Sequence, residues 1–149
     1  MNLRLKTLSI IALLTIIFSQ NSFSHNNEPR HEAMVTLAKN MKEISRINRT
    51  NSSFNDTHIE KIIQVHEISK KMDILFDKDD SNTKDSRASP NIWVEKDKFI
   101  SISKGFEKSI QNLLSAVKSN DREKIDNAIS KVGSNCGKCH RAFRLPKKN

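Results

Sequence analysis

From residue 28 onward, apolar residues return at three- and four-residue steps, with charged and amide side chains in the positions between them. That period belongs to an α-helix with one buried face. Met34, Leu37, Met41, Ile44 and Ile47 form the first such stripe. Pro29 stands in its first turn, where a missing N–H costs nothing, and Glu28 beside it complements the helix dipole. Asn48 to Ser53 is a polar break. Asn55 or Asp56 then caps a second segment that turns Ile59, Ile62, Ile63, Val65, Ile68, Met72, Leu75 and Phe76 inward. A third segment opens at Asn91 or just after it, with Trp93, Phe99, Ile102, Phe106, Ile110, Leu113, Leu114 and Val117 on one side. Ser119-Asn120-Asp121 breaks and recaps the chain, and a fourth segment carries Ile125, Ala128, Ile129, Val132, Cys136, Cys139, His140 and Phe143 until Pro146 ends it.

The stretch from Asp77 to Pro90 holds Ala88 as its one apolar side chain, so it cannot bury itself and is expected to be an exposed, mobile crossover. No internal repeat and no convincing strand interrupts the pattern. Four amphipathic segments with one long and two short connections predict an all-α, antiparallel four-helix bundle, an architecture that seats cofactors between facing helices. Gly105, inside the third segment, costs about 1 kcal/mol relative to alanine, and marks either a close approach of backbone or cofactor or a tolerated site.

Residues 1–24 follow a different rule. Arg4 and Lys6 precede a nearly unbroken apolar run from Leu8 to Phe18, and Ser22-Phe23-Ser24 supplies small residues for cleavage. This is the layout of a signal peptide, leaving residues 25–149 as a single domain. The run is too short to span a bilayer, so no membrane span remains after cleavage. Removing it takes away Arg4 and Lys6 and no acid, which lowers the formal charge of +9 by two and keeps the chain basic. The cations are scattered along an exported chain, a pattern that argues against nucleic acid. Steering toward an acidic redox partner or an anionic surface is the more economical use of such charge.

The candidate chemistry lies in Cys136-Gly137-Lys138-Cys139-His140. Two thiols three positions apart, followed at once by an imidazole, match the spacing that attaches a c-type haem covalently. Each sulfur adds to one vinyl group, and the histidine meets the iron as proximal ligand. On a helix Cys136, Cys139, His140 and Phe143 fall at i, i+3, i+4 and i+7 and share a face. Gly133 and Gly137 leave room for a macrocycle. A thioredoxin-like pair would want a βαβ setting, and a closed zinc site would want four ligands; the sequence offers neither, and a plain disulfide has no special support. Haem of this type is attached after export, which places the protein in the periplasm.

Three groups of residues together resemble a known family. They are Arg30-x-x-x-Met34 with Met41 further on, Ser89-Pro90-Asn91-Ile92-Trp93 followed by Phe99, and Cys136-x-x-Cys139-His140-x-x-Phe143-Arg144. Over residues 29–145 the chain resembles the class II c-type cytochromes of the cytochrome c′ family. The resemblance implies one haem c joined to Cys136 and Cys139, with His140 as the fifth iron ligand. It also implies Arg30 near a propionate, Trp93 at the haem edge and Arg144 as a basic residue one turn past the ligand. Each of these three has a plainer alternative, as a solvated first-turn charge, ordinary core, and a complement to the helix C-terminus.

Met34 corresponds to the position facing the distal side of the iron. A thioether that reaches the metal makes a six-coordinate, low-spin carrier with a raised potential. A side chain that only covers the face leaves five-coordinate iron open to nitric oxide or carbon monoxide. Spacing leaves both open, since a methionine on an apolar face is first a core filler; the short lead before Arg30 favours the methionine-ligated branch. His31 is a rival sixth ligand, His25 starts the mature chain, and His58 and His66 read as polar face residues. The expected function is that of a periplasmic monohaem electron carrier and not an enzyme, with a protein redox partner. A gas-binding haem protein is the alternative, and a haem-free secreted thiol or disulfide protein a remote one. Homodimers through the first two helices are common in the family, but the outer faces of these segments are not apolar enough to assert one.

Overall fold

The computed structural model describes residues 28–83 and 86–147. The signal segment and His25 lie outside the described residues. Among those residues are six helices: α1 (Glu28–Arg49), α2 (Asp56–Ser69), α3 (Met72–Leu75), α4 (Asn91–Val94), α5 (Lys96–Ser119) and α6 (Arg122–Phe143). The four long ones form an antiparallel four-helix bundle, with α1 on α2, α2 on α5, α5 on α6 and α6 back on α1. At 22 residues, α1 and α6 each span about 33 Å.

Local chemistry fixes the starts of these helices. Asn55 caps α2 in a reciprocal box: its side chain accepts from the His58 N–H at 3.1 Å, while Nδ1 of His58 accepts from the Asn55 N–H at 3.2 Å. Asp121 caps α6 by accepting from the Lys124 N–H at 3.1 Å. Asn120 closes α5 in the left-handed region, with φ 52°.

Two predicted helices are each broken. The second segment stops at Ser69, whose buried hydroxyl donates to the His66 carbonyl at 2.7 Å, and resumes as α3 at Met72. The third is split at Glu95, whose φ of −107° and ψ of 48° are not helical, so Trp93 sits on α4 and not on α5. In both places the apolar residues continue in phase across the break, which is why periodicity alone runs straight through it.

The core has two centres. Ile44, Ile62, Val65, Ile110, Leu113 and Val132 anchor the larger one, where the four long helices meet. Burying each of these side chains contributes about 1.5–3 kcal/mol. The smaller one gathers Ala88, Ile92, Phe99 and Phe143 around the C-terminal end of α6. Phe76 packs against both, its ring centroid 5.0 Å from that of Phe99, which stands edge-on to Phe143 at 5.4 Å. Ile63, expected inward, is 40% exposed, because it lies 100° around the helix from the buried Ile62.

The crossover meets the expectation of an exposed segment only in part: Asp77, Lys78, Asp79, Asn82, Thr83 and Pro90 are exposed, but others are not. Asp80, Ser86, Ala88 and Ser89 are buried. Short polar side chains satisfy the backbone locally: Oδ1 of Asp79 accepts from the Ser81 N–H, Thr83 donates to the Asp80 carbonyl, and the Ala88 N–H donates to the Ser86 hydroxyl. A segment whose N–H and C=O groups are thus paired can lie on the bundle with little apolar surface of its own. Asp80 pairs with Arg30 at the start of α1, and the Arg30 guanidinium lies 4.8 Å from the centroid of the Phe76 ring.

Candidate haem attachment site

Helix α6 places the motif by its phase. With Ile125, Val132 and Phe143 buried, the face that they define also carries Cys136, Cys139 and His140. Cys136 packs against the larger core cluster and Cys139 against the smaller one, so the two sulfurs bridge the boundary between them. Both cysteines are half-buried and free, while His140 is the exposed member of the trio.

The electrostatics of the trio separate the possible chemistries. Burial raises the Cys136 thiol above its ordinary range. Burial, reinforced by the neighbouring Cys136, pushes Cys139 up to about 11. A redox-active pair needs a depressed thiol that is a nucleophile at neutral pH, and these thiols are the opposite. Zinc would need further ligands, and no group of three or more His, Cys, Asp or Glu side chains able to hold a metal occurs among the described residues. A thioether is neutral and apolar at every pH, which suits sulfur at the rim of two apolar clusters. His140 is held below the usual histidine range by partial burial and then by the charges of Arg144 and Arg87, so its imidazole is neutral at pH 7 and has a lone pair for a metal. The donor set fits haem c.

The other candidates fall around this face. Met34 is half-buried and packs against the same cluster as Cys136. Trp93 is half-buried at the edge of the smaller cluster, its indole N–H donating to the Phe76 carbonyl at 3.0 Å; Nζ of Lys96 donates to that same oxygen, also at 3.0 Å. Arg30 is engaged by Asp80 and Phe76. Arg144 leaves the helix in extended conformation and pairs with Ala88 in an isolated antiparallel bridge. His31 is exposed on α1 and His66 half-buried on α2; His58 serves the α2 cap, with Nε2 3.8 Å from Glu43. Gly105 meets α6, its carbonyl accepting from Nδ2 of Asn135 at 3.3 Å. Apart from its chain neighbours and its own helix backbone, no atom among the described residues lies within 4 Å of a Cβ built on Gly133, and one on Gly137 would sit 3.1 Å from the flexible end of Arg141.

Arg87 and Asp80 were not legible as parts of this site. The one available signal was Ala88, a lone apolar residue in a polar stretch, which marks where such a stretch touches the core.

The family model described as cytochrome c′ matches residues 26–144. Among solved structures, cytochrome c′ from Rubrivivax gelatinosus is similar at 22% identity, with 77% of this chain and 91% of that one covered and a TM-score of 0.67. A ferrous variant of cytochrome c′ from Alcaligenes xylosoxidans with bound nitric oxide is similar at 21% identity, covering 80% of this chain and 93% of that one, with a TM-score of 0.70. No curated protein matches the chain.

Proposed function

Because the chain belongs to the cytochrome c′ family, a family of monohaem proteins with covalently attached haem c, we propose that it is a periplasmic electron carrier with no catalytic activity of its own. Cys136 and Cys139 would hold the haem covalently, and His140 and Met34 would supply ligands to its iron. The observation that carries this reading is the shared face of α6, where two half-buried thiols stand at the junction of two apolar clusters and the His140 imidazole follows at once on the more exposed side. Bound there, haem c supplies a one-electron Fe(III)/Fe(II) couple. The protein's part is to hold the imidazole neutral, to exclude water with Phe99, Phe143 and Trp93, and to offer the Met34 thioether from the neighbouring helix α1.

Export is supported by the apolar N-terminal segment that precedes the matched domain, and no helix among the described residues is long and apolar enough to cross a membrane. An acidic redox partner is supported by the charge around the motif: residues 127–149 contain no acid, while Lys131, Lys138, Arg141, Arg144, Lys147 and Lys148 are basic. A second reading, nitric oxide binding at an open distal position, is favoured by the ligand held by the Alcaligenes xylosoxidans relative. Adding carbon monoxide to the reduced protein separates the two. A methionine-ligated carrier keeps its spectrum largely unchanged, whereas rapid, complete conversion assigns the gas-binding function.

A further inference from the structure

His140 lies in the last turn of α6, a poor place for a residue that must be held in one orientation. The final four carbonyls of a helix have no partners within it, so such turns fray. The Arg144 N–H donating to the His140 carbonyl at 3.1 Å is the last helical bond, and Pro146 prevents another turn. Immediately beyond it the crossover takes over. The Ser89 N–H donates to the Phe143 carbonyl at 3.0 Å, Ala88 bridges to Arg144, and the Leu145 N–H donates to the Arg87 carbonyl at 2.8 Å. Nε of Arg87 returns a bond to the Leu145 carbonyl at 2.9 Å, so Arg87 grips one residue through both its backbone and its side chain.

We propose that residues 86–89 are a clamp on the ligand-bearing end of α6, with Arg87 as its positioning residue. The clamp is also tied to the other side of the bundle. The Ser86 hydroxyl accepts from the Ala88 N–H at 3.2 Å and donates to Oδ1 of Asp80 at 3.4 Å, and Asp80 pairs with Arg30, one turn before Met34 on α1. A chain of hydrogen bonds therefore connects the turn that carries His140 with the turn that leads to Met34. The polypeptide itself sets the relation of these two helix ends, and the rigid fork of arginine suits the grip better than the mobile ammonium of lysine.

The test uses the haem-loaded protein with Arg87→Ala and Arg87→Lys. Amide hydrogen exchange at Arg144 and Leu145 rises about tenfold in Arg87→Ala, the loss expected for one good hydrogen bond, while the amides of Phe106 to Leu113 in α5 stay as they were. Arg87→Lys recovers part of the protection. The ferric electron paramagnetic resonance lines broaden in Arg87→Ala, because the imidazole samples more orientations. Unchanged exchange at Arg144 and Leu145, or a rise spread equally through α5, overturns the clamp. The spectroscopic arm rests on the haem reading, and protein that emerges without haem defeats that reading while the exchange arm still decides the clamp.

Discussion

Met34 is the residue on which the choice between carrier and gas trap turns. It is half-buried on the cluster that also receives Cys136, so its thioether can be removed with limited disturbance of the enclosed core, and the proposed ligation tested directly. Met34→Ala is expected to convert low-spin ferric protein to high-spin and to lower the reduction potential, since a neutral thioether favours the ferrous state. An unchanged ferric spectrum would reassign Met34 to packing. The two sulfurs make a prediction of their own for the haem-free chain. Below about pH 8 the thiols are protonated in both folded and unfolded states. Above it the unfolded chain releases protons that Cys139 holds until about 11, so the unfolded state is favoured as pH rises through that window. The loss is on the order of 2 kcal/mol. Thioethers do not titrate, so urea midpoints of haem-free and haem-loaded protein should diverge above pH 9, and parallel curves would count against thioether linkage.

At the scale of elements, the informative part is the crossover between α3 and α4. Arg30 and Asp80 are 11% and 8% exposed at their side chains, which makes their pair a buried one. Such a pair costs most when one partner is removed and the other is left in place. Arg30→Met leaves the buried Asp80 carboxylate with the Ser86 hydroxyl as a remaining side-chain partner among the described residues, and is expected to destabilise the fold by about 3 kcal/mol in denaturant titration. The double variant Arg30→Met/Asp80→Leu should recover much of that loss, and equal losses in the single and double variants would show that the pair is effectively solvated. Splitting the long helices at Ser69 and Glu95 serves the same region. α3 and α4 are single turns that bring Phe76 and Trp93 together, through the indole N–H on the Phe76 carbonyl, at the edge of the smaller cluster.

Across the whole molecule, the two apolar centres meet along the line of Phe76, Cys136 and Cys139. A porphyrin attached at that line would add a large apolar body to a small core. Haem-free protein is therefore expected to unfold over a broad thermal range, and haem-loaded protein in one sharp transition. Equally sharp transitions in both would show that the polypeptide packs to completion alone.

The helical period, the caps at Asn55 and Asp121 and the shared face of Cys136, Cys139, His140 and Phe143 were all decided within the sequence, because each depends on residues no more than a few turns apart. The position of Arg87 on the tail of α6, the pairing of Arg30 with Asp80 and the meeting of Met34 and Cys136 on one cluster were decided only by tertiary structure. These partners lie some fifty to a hundred residues apart in the chain. A polar segment such as the crossover carries no period to say which face it will bury. Its place is set by the hydrogen bonds that the folded bundle offers, and those exist only once α1 and α6 stand side by side.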